Sequence, residues 1–174
     1  MTTLGDIITA DTGGTAKRLG VGSEGQVLKV VSGEPAWYDA SKDFCHAYIG
    51  SAYSTPGGNN WVKIPFDTSL VDTNDIFNEI LDRVIPKKPG IYLVIARLAL
   101  LSGGTFAISA FKNGINTVNL SSYSPSGTLS QLIGTGMLYV NGTTDYIEIC
   151  VYSSSVVSSS IVSSSTFFQV VGPL

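Results

Sequence analysis

The chain has 174 residues, a formal net charge of −3 and a sequence pI near 4.9, and only 13% of its residues are charged. That length suits one sizeable domain plus a shorter segment, with Ser, Thr, Asn and Gly supplying most of the surface polarity. With no Lys/Arg cluster larger than Lys87-Lys88 there is no basic footprint for nucleic acid, and the longest apolar run, Ile91 to Leu101, is interrupted by Arg97 and falls well short of the roughly 20 residues that span a bilayer.

Charge is distributed unevenly. Residues 1–90 hold nineteen of the twenty-three charged side chains, leaving Arg97, Lys112, Asp145 and Glu148 in the last 84 residues. Together with a high content of apolar strand residues, this points to a surface hidden in an oligomer. No secretory signal is expected, because residues 1–15 carry acidic and Gly residues where a basic start and an apolar core are required. In a reducing cytosol Cys45 and Cys150 are expected as two buried thiols, and neither has a His or Cys neighbour at zinc spacing.

Residues 1–43 form the first region. They lack a continuous hydrophobic period and are punctuated by Gly13-Gly14, Gly20, Gly22, Gly25 and Gly33, so they are expected to need a partner surface. Short apolar pieces at Ile7-Ile8, Val27-Leu28 and Val30-Val31 are expected to pair as strands with neighbouring subunits or with a larger particle. Gly20-Val21-Gly22-Ser23-Glu24-Gly25 spells a dinucleotide-binding fingerprint, but no buried strand precedes it and a β-like Val27–Val31 follows where a helix is needed. Turn chemistry is the expectation there, and no cofactor.

The order Gly5-Asp6-Ile7-Ile8, Arg18-Leu19, Val21-Gly22, Gly25-Gln26-Val27-Leu28 and Pro35-Ala36-Trp37 resembles a segment of bacteriophage tail-fibre and virion appendage proteins. The resemblance implies a virion protein made in the bacterial host cytoplasm, with residues 1–43 as an extended arm or shaft. Ile7, Ile8, Leu19, Val27, Leu28 and Trp37 are then the expected attachment residues, facing other virion proteins of the tail or capsid.

From residue 44 the pattern changes to β-strand runs separated by turn signals. Expected strands are Cys45–Ala52, Trp61–Phe66, Arg83–Ile85, Gly90–Leu101, Thr105–Lys112, Ile115–Leu120, Ser130–Val140, Asp145–Tyr152 and Thr166–Val171. Asn113-Gly114 is a type I′ hairpin signal and Asn141-Gly142 opens a longer connection. Ile76, Phe77, Ile80, Leu81 and Val84 stand at helical spacing behind a capping Asp72-Thr73-Asn74, so a turn or two of helix competes there with an extended exit toward Pro86. The fold expected is all-β, a sandwich, because no helix of ten or more residues separates the strands.

The second region, residues 44–174, also resembles a family: the trimeric jelly rolls of the tumour-necrosis-factor and complement globular-head type. The matching pieces are Trp61–Phe66, Val84-Ile85-Pro86, Pro89–Val94, Lys112-Asn113-Gly114, Asp145–Ile149 and Thr166-Phe167-Phe168. The Ser-rich stretch before the last strand and the absence of a collagen-like stalk depart from it. The resemblance implies a jelly-roll head and a homotrimer, with Tyr92, Val94, Ile147, Ile149, Phe167 and Phe168 in its core or trimer interface.

The remaining chemistry-bearing residues are weak candidates for catalysis. His46 is the only histidine and no Gly-x-Ser-x-Gly elbow accompanies it. Asp145 and Glu148 stand three apart, on opposite faces of a strand, which does not suit a glycosidase pair. Asp67, Asp72, Asp75 and Glu79 could in principle gather around Ca²⁺, but their spacing misses the EF-hand pattern, and neither a catalytic nor a metal site is expected. The triplets Ser153–Ser155, Ser158–Ser160 and Ser163–Ser165 read either as a hydroxyl-rich connection or as a tip loop facing a host polysaccharide. Tyr48, Tyr53 and Tyr123 read as strand packing or as glycan-stacking rings. Tyr123, Ser154, Ser159 and Ser164 are therefore the expected receptor contacts of a non-enzymatic, homotrimeric virion fibre or spike whose head binds a host-surface glycan or protein. A capsid decoration protein is the alternative, and a polysaccharide depolymerase a more remote one.

Overall fold

Alternating apolar and polar positions, broken by Gly, Asn and Pro turns, produce a chain built of β-strands with no α-helix among the described residues. The structure is a computed structural model and describes residues 3–51, 53, 54, 57–100, 105–123, 130–154 and 165–174. The chain divides into two compact units, residues 1–41 and 42–174. The boundary expected after residue 43 falls at the first residue of a strand in the second unit.

The first unit consists of two antiparallel hairpins, β1 (Ile7–Ala10) with β2 (Ala16–Leu19) and β3 (Gln26–Val31) with β4 (Glu34–Asp39). The apolar pieces expected to pair with other chains are instead paired with their own: Ile7 faces Leu19 in the register, Ile8 faces Arg18, Val27 faces Tyr38 and Leu28 faces Trp37. Tight turns allow this, with Ser32 and Gly33 both in the left-handed region between β3 and β4. Among the described residues of this unit no hydrophobic side chain is fully buried, while Leu4, Ile8, Val21, Val27, Leu28, Val30 and Val31 are exposed. Polar and aromatic contacts hold the unit together. The Arg18 guanidinium donates to both oxygens of Asp6, at 2.7 and 3.1 Å, and the Asp6 carboxylate is fully covered. Trp37 Nε1 donates to the Gly20 carbonyl at 2.6 Å, and a Cβ on Gly22 would stand 2.5 Å from the Trp37 ring, so only Gly fits there.

The second unit is a sandwich of two sheets. One has the strand order β13 (Ser130–Val140), β10 (Gly90–Leu100), β15 (Phe167–Gly172), β5 (Asp43–Tyr48), β7 (Thr68–Asp72). The other has the order β12 (Ile115–Tyr123), β11 (Phe106–Lys112), β14 (Ile147–Ser153), β9 (Arg83–Val84), β8 (Phe77–Asn78), and β6 (Asn60–Lys63) also pairs with β14. Every pairing is antiparallel. The inner faces share one core that includes Phe66, Tyr92, Leu98, Phe106, Ile108, Leu132, Ile147 and Phe168. Phe168 packs on Phe66 with ring centroids 4.6 Å apart and on Phe77 at 5.8 Å.

In the segment before β10, residues 68–72 form a strand beyond those expected, and the extended exit toward Pro86 is the alternative the chain adopts, with β9 at Arg83–Val84. The helical spacing of Ile76 to Val84 does not produce a helix, because Asn74, Asp75 and Asp82 all hold positive φ values, between 45° and 65°, which a right-handed helix cannot include. The Asp72 carboxylate does cap, accepting from the Ile76 and Phe77 amides at 3.0 Å each, but what it caps is a turn into β8. Ile80 is left almost wholly exposed.

Asn113 and Gly114 both have positive φ, as a type I′ turn between β11 and β12 requires. After β13 the Asn141 side-chain oxygen accepts from the amides of Thr143, Thr144 and Asp145, which closes the connection to β14.

Candidate interaction surface

The outer face of the five-stranded sheet is the most unusual surface of the second unit. Alternation turns Tyr92, Val94, Ala96 and Leu98 of β10 into the core and Ile91, Leu93, Ile95 and Arg97 outward. The register then aligns outward residues in rows across the sheet. Tyr139 lies beside Ile91. Met137, Leu93, Val171 and Phe44 form the next row, followed by Thr135, Ile95, Gln169, His46 and Val71, and then by Ile133, Arg97, Phe167 and Tyr48. Arg97 brings the one fixed charge in these rows. Ile133 and Met137 are each 61% exposed and Tyr139 is 58% exposed. The exposed apolar side chains of this face, Ile91, Ile133, Met137 and Tyr139, gather on β10 and β13 beside the more polar row of Thr135, Gln169 and His46, the kind of patch on which proteins commonly bind partners.

His46 occupies the middle of that face. Its Nδ1 lies 3.2 Å from Gln169 Nε2 and its ring is 5.1 Å from that of Phe167. Partial burial lowers its pKa below the usual value near 6.5, so the neutral ring is favoured in the folded chain. Among the described residues no Ser or Asp hydrogen bond to the imidazole is present.

Of the six residues expected in the core or trimer interface, the structure places Tyr92, Val94, Ile147, Ile149 and Phe168 in the core, and Phe167 outward on the sheet face. Tyr92 is part of a buried polar knot that sequence reading missed. Its hydroxyl donates to Asp43 Oδ2 at 2.6 Å, and the Asp43 carboxylate also accepts from the Lys87 amide at 3.1 Å and from Asn74 Nδ2 at 2.8 Å. Asp43 is fully buried, and a Cβ on Gly172 would stand 2.6 Å from the Tyr92 ring.

Among the expected attachment residues, Ile8, Val27 and Leu28 are exposed, whereas Ile7, Leu19 and Trp37 are half-buried within their own unit. Among the expected receptor contacts, Ser154 is exposed and its Oγ accepts from the Thr105 amide at 3.1 Å. The Tyr123 side chain, Ser159 and Ser164 lie outside the described residues.

The acidic residues are engaged locally. A cleft of 430 Å³ is lined by Ser69, Asp72, Asp75, Phe77, Asn78, Glu79 and Ile80. Asp72 caps its turn, Glu79 accepts from the Ser69 hydroxyl at 3.2 Å, and Asp75 lies 3.8 Å from Lys87 Nζ. Among the described residues no group of three or more His, Cys, Asp or Glu side chains is placed to hold a metal ion. Asp145 accepts from Asn113 Nδ2 at 2.7 Å and from the Asn141 amide at 2.9 Å, and these bonds with the nearby Lys112 hold its carboxyl below the usual range. Burial pushes both thiols, Cys45 and Cys150, up to about 12, which leaves them unreactive.

No protein-family model matches the sequence, and no curated protein matches it. Solved structures do match the fold. Murine APRIL is similar at 14% identity with a TM-score of 0.58, over 76% of this chain and 100% of that one. The globular domain of zebrafish complement 1qA protein is similar at 12% identity with a TM-score of 0.51, over 75% of this chain and 95% of that one. At such identities the likeness is one of fold: the chain is all-β and its sandwich is a jelly roll of the tumour-necrosis-factor and complement globular-head kind.

Proposed function

We propose that the chain is a homotrimeric bacteriophage virion protein, in which residues 1–43 attach to the particle and the jelly-roll head binds the host surface. The observation that carries the assembly is the outer face of the five-stranded sheet, where Ile91, Leu93, Ile133, Met137 and Tyr139 lie together and Arg97 brings the one fixed charge in the described rows. Burying such a face between copies removes apolar area from water at roughly 25 cal/mol per Å². A closed ring of three copies would bury it without leaving a sticky edge.

The virion role rests on the N-terminal resemblance, and the first unit gives its recurring residues physical work. Asp6 and Arg18 form its covered ion pair, and Gly22 makes room for Trp37. The exposed Ile8, Val27, Leu28, Val30 and Val31 are then available to the particle. Three heads on one anchor turn a weak individual contact into avid adsorption, without any chemical step.

The test is to look for the chain in purified particles of the phage that encodes it, by mass spectrometry and by antibody labelling in the electron microscope. Label on tail tips supports the adsorption role. Label on the shell supports capsid decoration instead, and absence of the chain from particles rejects the virion role.

A further inference from the structure

The outer face of the six-stranded sheet bears a feature that trimerisation does not use. Alternation points Glu148, Cys150 and Tyr152 outward on β14, and Ala107, Ser109 and Phe111 outward on β11. Strands β11 and β6 flank β14 on opposite edges, with Trp61 in register with Tyr152 and Phe111 in register with Glu148. The Trp61 ring is nevertheless 5.6 Å from the Phe111 ring as well as 5.7 Å from that of Tyr152, so these side chains lean toward each other across β14. The register pair lying between them, Ser109 and Cys150, is buried, and the Ser109 hydroxyl has no hydrogen-bond partner.

Polar groups border these rings. The Tyr152 hydroxyl donates to Asn59 Oδ1 at 2.9 Å, and the Asn59 amide donates to the Ser153 carbonyl at 3.0 Å. Three successive positive-φ residues, Gly57, Gly58 and Asn59, bring the chain round to this edge, where Asn60 is exposed. On the other side Lys63 Nζ lies 3.5 Å from Glu148 and 3.6 Å from Asp82, so this border cation is already engaged by two carboxylates. Trp61 itself is 36% exposed.

Flat aromatic faces, amide groups at their border and a neighbouring cation already engaged by carboxylates match a ligand with apolar C–H faces and neutral hydroxyls rather than an anion. We propose that Trp61, Phe111, Tyr152, Asn59 and Asn60 form a binding site for a neutral saccharide. The site deepens the host-adsorption reading and rests on it. Sugar rings stack on Trp61, with Asn59 and Asn60 bonding to their hydroxyls.

The test uses the full chain on an array of neutral and acidic bacterial surface polysaccharides, together with adsorption of labelled protein to bacterial cells. The expected result is retention on a neutral polysaccharide, at least tenfold weaker for Trp61→Ala and largely preserved for Trp61→Phe. Asn59→Gly, which suits the left-handed backbone while deleting the amide, should weaken retention severalfold without lowering the melting temperature. Retention on acidic polysaccharides alone, or equal retention by Trp61→Ala and the parent chain, overturns the site. Adsorption to cells that Trp61→Ala matches overturns the site while leaving host adsorption standing, whereas no retention and no adsorption by any form removes both.

Discussion

The two units are both made of antiparallel strands, yet they are held together differently. Residues 42–174 close two sheets over a shared core, whereas the described residues of 1–41 include no fully buried hydrophobic side chain and depend on the Asp6–Arg18 pair and on the fit of Trp37 against Gly22. A jelly roll can therefore stand on burial alone. A double hairpin of about forty residues lies near the size below which a core is too small to do so, and its exposed Val27, Leu28, Val30 and Val31 are the apolar surface it has not covered.

The sharpest way to break this contrast uses the two tryptophans, one in each unit, as separate reporters: Trp37 for the first and Trp61 for the second. Phe168→Ala should destabilise the head by about 3–5 kcal/mol, because it empties the contact with Phe66 and Phe77. In urea unfolding the Trp61 transition should move to lower denaturant while the Trp37 transition holds. Movement of both together would mean the units share one cooperative fold.

Tyr92→Phe should cost the head about 1–3 kcal/mol, since it keeps the packing but leaves Asp43 short of a hydrogen bond in a buried site. A change too small to measure in the same titration would deny that the polar knot matters. Gly22→Ala should leave the head's unfolding unchanged and speed hydrogen exchange at Trp37 Nε1, which now donates to Gly20. Persistence of slow exchange in that variant would show that the close approach is not needed.

The smallest expected effect is on pH. The folded-state pKa of His46 is lowered by burial, so the unfolded chain binds the proton more readily, and the stability linked to His46 is fully present above about 6.5 and lost as pH falls toward the folded value. Thermal unfolding between pH 7.5 and 5.5 should show the head's melting temperature falling on acidification, with His46→Gln flattening the profile. Asp145 acts in the same direction at lower pH: its carboxyl is held below the ordinary value, so its contribution is lost on acidification below that range.

Much of the head could be read from the chain. The long strands follow from alternating burial, and Asn113-Gly114 specifies its own turn. Adjacent Phe167 and Phe168 had to face opposite ways on a strand, which separates an outward residue from a core residue. At Ile76 to Val84 helical spacing competed with an extended exit, and the period alone could not decide between them because it does not show which Asn and Asp residues turn left-handed. Thr68–Asp72 was missed because an edge strand with Leu70 and Val71 exposed carries no alternation that a core would impose. Asp43 and Tyr92 are 49 residues apart, and only the fold brings them together. In the first unit the short apolar pieces were recognisable as strands, but nothing local told whether their partner was another chain or the next hairpin.

Light scattering of the full chain at micromolar concentration, beside the Ile133→Lys/Met137→Lys double variant, tests the sheet-face trimer directly. The parent should have three times the 18.3 kDa chain mass, and the variant should be a monomer that still unfolds cooperatively, at a lower and concentration-independent temperature. A monomeric parent, or a variant that remains trimeric, would contradict assembly through this face.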